Sequence, residues 1–169
     1  ERIRAINPDC EVSCIEDFVT PDNVAQIFNQ NYSVVIDAID QVRAKAAMIA
    51  FCHQRKIPIV TAGAAGGQID PTQIRVADLS KTIQDPLLAK VRSTLRRDYG
   101  FSRDTKKNFG IPAIYSIEPL RYPKTSPSCD NERGPAGLNC AGFGSSVCVT
   151  SAFGMAAAAS AIEFITRTS

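Results

Sequence analysis

An α/β domain with parallel core strands is the fold class this chain predicts, and three observations carry that prediction. Short apolar runs in strand rhythm recur at residues 33–39, 57–62 and 113–117. Helical patterns separate them at residues 41–56 and 86–97, and Gly- or Pro-bearing stretches punctuate the joins. Such alternation places helices as crossovers between parallel strands. A chain of 169 residues, 44% hydrophobic, suits a single domain over 1–169 with a substantial buried core. With 21% charged residues and a formal charge of +2, the composition is that of an ordinary globular protein, and charge alone names no partner.

Each element follows from local chemistry. Glu1-Arg2-Ile3-Arg4-Ala5-Ile6 reads as the end of a helix whose beginning is absent, stopped by Asn7-Pro8-Asp9. Residues 11–19 read as a strand. Thr20-Pro21-Asp22 then opens a short helix, with Thr20 as N-cap and Pro21 at its first position. The strand 33–39 and the helix 41–56 follow. The strand 57–62 runs into Gly63-Ala64-Ala65-Gly66-Gly67, which lacks phosphate-loop spacing and reads as a turn. Residues 74–79 alternate as a strand, and Asp85-Pro86 begins a helix through Arg97. After the strand 113–117, residues 118–141 hold several Pro and Gly without periodicity, the mark of a long loop.

Six cysteines at this length do not make the dense framework of a small secreted domain, so a reducing, cytoplasmic compartment is expected. Cys10, Cys14 and Cys52 read as buried, inert thiols, while Cys129 and Cys140 fall in the long loop. No pairs have the C-x-x-C spacing of structural zinc. Residues 147–165 approach membrane-spanning length, yet Thr150, Ser151, Ser160 and Glu163 interrupt them. A buried packing helix is expected there, without a stable membrane span.

The segment Val34-Val35-Ile36-Asp37-Ala38-Ile39-Asp40 delivers two carboxylates to the end of a strand. Ligands of open α/β sheets bind beyond the carboxyl ends of the parallel strands, so Asp37 and Asp40 are candidates for a site. Capping of the following helix by Asp40 explains the same residue, and the segment alone leaves both readings open.

Glu1-Arg2-Ile3 with Ile6-Asn7-Pro8, the run 34–40 with Lys45, and Pro58-Ile59-Val60 with Gly63 resemble the ubiquitin-activating-like (HesA/MoeB/ThiF) superfamily in order and spacing. That superfamily includes the molybdopterin and thiamine sulfur-carrier adenylyltransferases. Asp70-Pro71-Thr72, Ala77-Asp78-Leu79, Asp85-Pro86-Leu87 and the run 139–144 are most similar to its tRNA threonylcarbamoyladenosine dehydratase branch. The resemblance covers the whole chain. It implies a Rossmann-like, mostly parallel sheet flanked by helices. It also implies ATP-dependent cyclising dehydration of N6-threonylcarbamoyladenosine at tRNA position 37, with ATP and Mg2+ as cofactors, tRNA as partner, and a homodimer.

On that resemblance Asp40 takes the catalytic and metal-binding place, and Asp37, Ala38, Ile39, Asp40 and Lys45 form the cofactor-binding segment. Gln41 and Lys45 stand where the family usually has Asn and Arg. The family's glycine-rich nucleotide loop, ribose-binding acid and phosphate-contacting Arg and Lys lie N-terminal to the position matched by Glu1. The chain is therefore expected to be the C-terminal portion of a larger ThiF-type domain, inactive by itself. Relatives that transfer sulfur often carry a cysteine after the strand ending near Gly63. Residues 63–112 contain none, which favours dehydration, although Cys129 or Cys140 could meet a sulfur-transfer partner.

Arg92, Arg96, Arg97, Arg103, Lys106 and Lys107 concentrate cations in one stretch, with Tyr99 and Phe101 interleaved. Cations neutralise phosphates and exposed aromatics stack on splayed bases, as a tRNA loop would require. A solvated surface with Asp98 and Asp104 as local partners fits equally well. His53, among Gln54, Arg55 and Lys56, reads as a surface residue. Two other functions stay open: an adenylyltransferase for a ubiquitin-like sulfur carrier, and a non-catalytic dimerisation or adaptor fragment.

Overall fold

A computed structural model describes residues 1–121 and 144–167. Strands β1 (Val35–Asp37), β2 (Ile59–Ala62), β3 (Ile74–Asp78) and β4 (Pro112–Ser116) form one sheet in the order β1-β2-β4-β3. β1, β2 and β4 run parallel, with Val35 opposite Ile59 and Thr61 opposite Ala113. β3 is antiparallel to β4, Ile74 facing Ser116 and Asp78 facing Pro112. The antiparallel edge has a simple cause: no helix of crossover length lies between β2 and β3, so the chain turns back on itself. Pro112, which has no N–H to give, is confined to the first position of its strand.

Helices α1 (Arg2–Ile6), α2 (Val24–Ile27), α3 (Val42–Arg55), α4 (Pro86–Asp98) and α5 (Val147–Arg167) surround the sheet. Strand alternation divides the core in two. Ile59, Ala113 and Tyr115 face Ile49, Leu88, Val91 and Leu95 of α3 and α4. Val60 and Ile114 point the other way, onto Val149, Phe153 and Ala157 of α5. The central strands are thus covered on both faces, which is why they read as continuous apolar runs.

Several elements differ from expectation. Residues 11–19 form no strand: Ile15 and Phe18 are 57% and 89% exposed, with no sheet for an alternating pattern to pack against. Cys14 is therefore exposed and Cys10 half-buried, whereas Cys52 is buried as expected. α2 begins at Val24, capped by Asn23 rather than Thr20. Thr20 still participates, because the Asn23 N–H donates to its hydroxyl at 3.3 Å and the Asn23 carboxamide accepts from the Thr20 N–H at 2.7 Å. α5 is helical as expected, but only one stripe, Val149, Phe153, Ala157 and Ala161, is buried. Val147, Met155, Ile162 and Ile165 are exposed, and the helix is long and apolar enough by length and composition to cross a bilayer. The loop 118–141, with Cys129 and Cys140, lies largely outside the described residues.

Candidate functional site

The segments that leave β1, β2 and β4 converge at the carboxyl edge of the sheet around a cleft of about 340 Å3. Ala38, Ile39 and Asp40 come from the exit of β1, Gly63 to Gly66 from that of β2, and Leu120 from the chain after β4. Pro86 and Leu87, at the start of α4, close one side, and Ser145 another. This is the crevice in which ligands of open parallel sheets bind.

Asp40 is exposed on the cleft wall, and the N-cap position of α3 falls on Gln41. Asp37 and Lys45 lie beneath that wall, both side chains fully inaccessible and joined at 2.7 Å. The cofactor-binding segment is thereby divided: Ala38, Ile39 and Asp40 line the cleft, while Asp37 and Lys45 sit below it. A second bond reaches the same Asp37 oxygen from the Thr61 hydroxyl at 2.7 Å, and its other oxygen accepts the Ile39 N–H at 3.0 Å. The carboxylate thus ties the turn before Asp40, through Ile39, to α3 and β2. α3 is buried on all sides from Ala44 to Ala50, so a lysine in its first turns can stay there only with an acid partner. Burial pulls the Lys45 pKa below its ordinary value, with Asp37 opposing.

The opposite wall is held by two further carboxylates. Asp85 caps α4 by accepting the Leu88 N–H at 2.8 Å, and its other oxygen accepts the Ala64 N–H at 2.9 Å. It approaches the β2 exit so closely that a Cβ on Gly63 would lie 2.0 Å from the Asp85 Oδ2. Glycine is required here by proximity. Burial raises the Asp85 pKa above the usual carboxylate value, and the N–H groups of Leu88 and Ala64 resist that rise. Glu118 accepts the N–H groups of Ile69 and Asp70 at 2.9 and 2.8 Å, and these bonds hold its pKa below the usual value. Gly67 donates to the Gly144 carbonyl at 3.0 Å, and Gly66 bridges to Ser145. The stretch 63–70 is a turn, as its spacing predicts, and also a pinned cleft wall.

A second cationic surface lies on α4. Arg92, Arg96, Arg97 and Arg103 line a hollow of about 290 Å3 together with Ala89 and Ser93. Lys106 and Lys107 are exposed but line neither this hollow nor its neighbour, since the turn at Asp104 carries them elsewhere. Arg92 hydrogen-bonds to the Thr82 hydroxyl, Arg96 donates to the Ser102 carbonyl at 3.2 Å, and Arg97 grips Asp98 at 2.7 and 2.8 Å. Burial and the nearby Arg96 pull the Arg92 pKa below its ordinary value. Phe101 does not offer an open face for a base. It packs between His53 and Phe109, with ring centroids 4.8 and 4.9 Å away, because α4 ends in a turn that folds it back onto the core.

Sequence reasoning missed Thr61, Asp85, Gly63 and Glu118 as builders of the site. The Asp85-Pro86 pair signals a helix start, but its reach back to Ala64 across 21 residues has no local signature. Known proteins place these features in context. A tRNA threonylcarbamoyladenosine dehydratase of Haemophilus influenzae is 51% identical over 164 residues, covering 96% of this chain and 62% of the relative. The Escherichia coli protein of that name is 52% identical over 168 residues, covering 96% and 63%. Solved structures of the E. coli enzyme in complex with ATP and with AMP superpose with TM-scores of 0.83 and 0.84 at 49% identity. Both cover 99% of this chain and 62% of the solved chain, so this chain spans about three fifths of the relatives it matches. A profile of the ThiF family matches residues 1–169, and on that match the chain belongs to the ThiF family.

Proposed function

We propose that this chain is part of an ATP-dependent tRNA-modifying enzyme that performs the cyclising dehydration of N6-threonylcarbamoyladenosine. The observation that carries the reading is Asp40, set on the wall of the cleft at the carboxyl edge by the buried Asp37–Lys45–Thr61 cluster. The similar E. coli enzyme, solved with ATP and with AMP, supports a nucleotide as ligand.

The chemistry asked of such a cleft is activation of a side-chain carboxylate, so that an internal nucleophile can close on it with loss of the elements of water. Ala38, Ile39 and Gly63 to Gly66 bring main chain and small side chains to the cleft, leaving room for a bulky substrate. Asp85 and Glu118 keep that wall from collapsing by occupying its N–H groups. A single exposed carboxylate on the cleft wall suits Mg2+, an ion whose other ligands are water and phosphate oxygens. Asp40 would hold it, and the bound ion would offset charge on the phosphates. Arg92, Arg96, Arg97 and Arg103, which share one hollow, are the proposed contacts for tRNA, whereas Lys106 and Lys107, expected with them from the sequence, line neither hollow. Cytoplasmic location, a homodimer and a sulfur-transfer partner meeting Cys129 or Cys140 belong to the same proposal and rest on the resemblance.

Asp40→Asn in the whole protein tests the reading, since it preserves size and removes one charge. Turnover should fall about 100-fold, as when a single electrostatic stabiliser is lost, while tRNA binding is retained. Near-normal turnover refutes the assignment.

A further inference from the structure

The cationic stretch of α4 is not a uniform surface. Ala89, Arg92, Ser93, Arg96 and Arg97 follow helical i, i+3, i+4, i+7, i+8 spacing along one hollow, and Arg103 closes it from the following loop. Lys90, Ser93, Thr94, Arg97 and Asp98 follow the same spacing along a second hollow of about 560 Å3, which Arg43 and Val42 of α3 complete. Ser93 and Arg97 belong to both. The two hollows therefore lie side by side, divided by a single row of α4.

We infer that the four-arginine hollow is a seat for an RNA backbone phosphate, and that the adjoining hollow with Arg43 and Lys90 continues the track toward Asp40. The inference rests on the tRNA reading above and adds location to it. The smaller hollow is lined by four arginines and Ser93, and no carboxylate is among its lining residues. Like charges gathered this way repel, and a bound phosphate relieves that repulsion. Guanidinium forks and a hydroxyl are the donors that phosphate oxygens take.

The larger hollow holds Arg43, Lys90 and Arg97 against one acid, Asp98, which Arg97 already grips. Val42 and Arg43 of the second hollow follow Asp40 of the cleft by two and three residues in the chain, which sets the direction of the track. Lys106 and Lys107 fall off this line. Their exclusion separates the track from a general preference for positive charge.

The test compares double variants of the whole protein, each removing two cations. Arg97→Ala with Arg103→Ala removes two of the four cations of the first seat, Arg43→Ala with Lys90→Ala removes two of the three of the second, and Lys106→Ala with Lys107→Ala is the control. All these side chains are exposed, and the fold should survive. Affinity for unmodified tRNA is measured against salt. Each of the first two pairs should lower the slope of log affinity against log salt by roughly 0.7–0.9, the equivalent of one phosphate contact, and the control should lower it by well under that. Equal losses in all three variants, or no loss in the first two, overturn the seat while leaving tRNA as the partner. Wild-type protein that fails to bind tRNA, or binds an acidic protein in its place, overturns the tRNA reading itself.

Discussion

Adding one methyl group at Gly63 tests how the cleft wall is built. An alanine Cβ would stand 2.0 Å from the Asp85 Oδ2 and 3.0 Å from its Cγ, so the carboxylate must retreat by about 1 Å or more. Asp85 is only 4% exposed and has no solvent to retreat into. Withdrawal breaks its 2.9 Å bond from the Ala64 N–H, a bond to a charged acceptor worth roughly 1.5–3 kcal/mol. Overpacking adds roughly 1–3 kcal/mol, and the reduced entropy of the unfolded chain returns about 0.4–1 kcal/mol. Gly63→Ala should therefore destabilise the fold by roughly 2–5 kcal/mol. Urea unfolding followed by circular dichroism reads this as a lower midpoint at unchanged slope. In an Asp85→Ala background only the flexible Leu88 Cδ1, 3.1 Å from the added Cβ, remains close, and the same methyl should cost much less. A Gly63→Ala penalty equal within about 0.5 kcal/mol in both backgrounds would refute the reasoning, because independent sites add to that precision. A single variant too unstable to purify, rescued by Asp85→Ala, supports it.

Three further outcomes follow from the same geometry. Lys45→Met should cost about 3–5 kcal/mol in urea unfolding, because it strands the buried Asp37 carboxylate, and adding Asp37→Asn should recover a large part of that loss. Asp78 accepts N–H bonds from Ser80, Phe109, Gly110 and Ile111 at 2.7–3.1 Å; burial opposes its ionisation, but these bonds prevail and lower its pKa. A depressed carboxylate pKa stabilises the fold above the ordinary aspartate value and ceases to do so as pH falls through the folded value. Asp78→Asn should therefore lose about 1–3 kcal/mol at neutral pH, and unfolding measured at falling pH should show the gap to wild type closing below about pH 4. Asp85 behaves with the opposite sign. Its raised pKa makes stability fall as pH climbs from the ordinary aspartate value to the folded one, and Asp85→Asn should flatten that part of the pH profile.

The local signals in this chain were strong wherever one element carries its own pattern. The apolar runs that became β2 and β4 are legible because both faces of those strands are buried, while β1 leaves Ile36 exposed, and Asp85-Pro86 marks the start of α4 because capping and proline geometry act within a single turn. Asp40 could be placed at a strand exit for the same reason. Its competing role as a cap could not be dismissed from sequence, since capping depends on one backbone angle pair; Gln41 takes that position instead. The alternation at 11–19 misled because a strand also needs a neighbour, and only the assembled sheet decides who has one. Tertiary structure alone united Asp37 with Lys45 and Thr61, and Asp85 with Gly63, across separations of 8 to 24 residues. It also split six neighbouring cations into four that share a hollow and two that do not. Hydrophobic period and capping are properties of the chain read in order, whereas the pairing of buried charges is fixed by which elements pack together, and no local residue type encodes that choice.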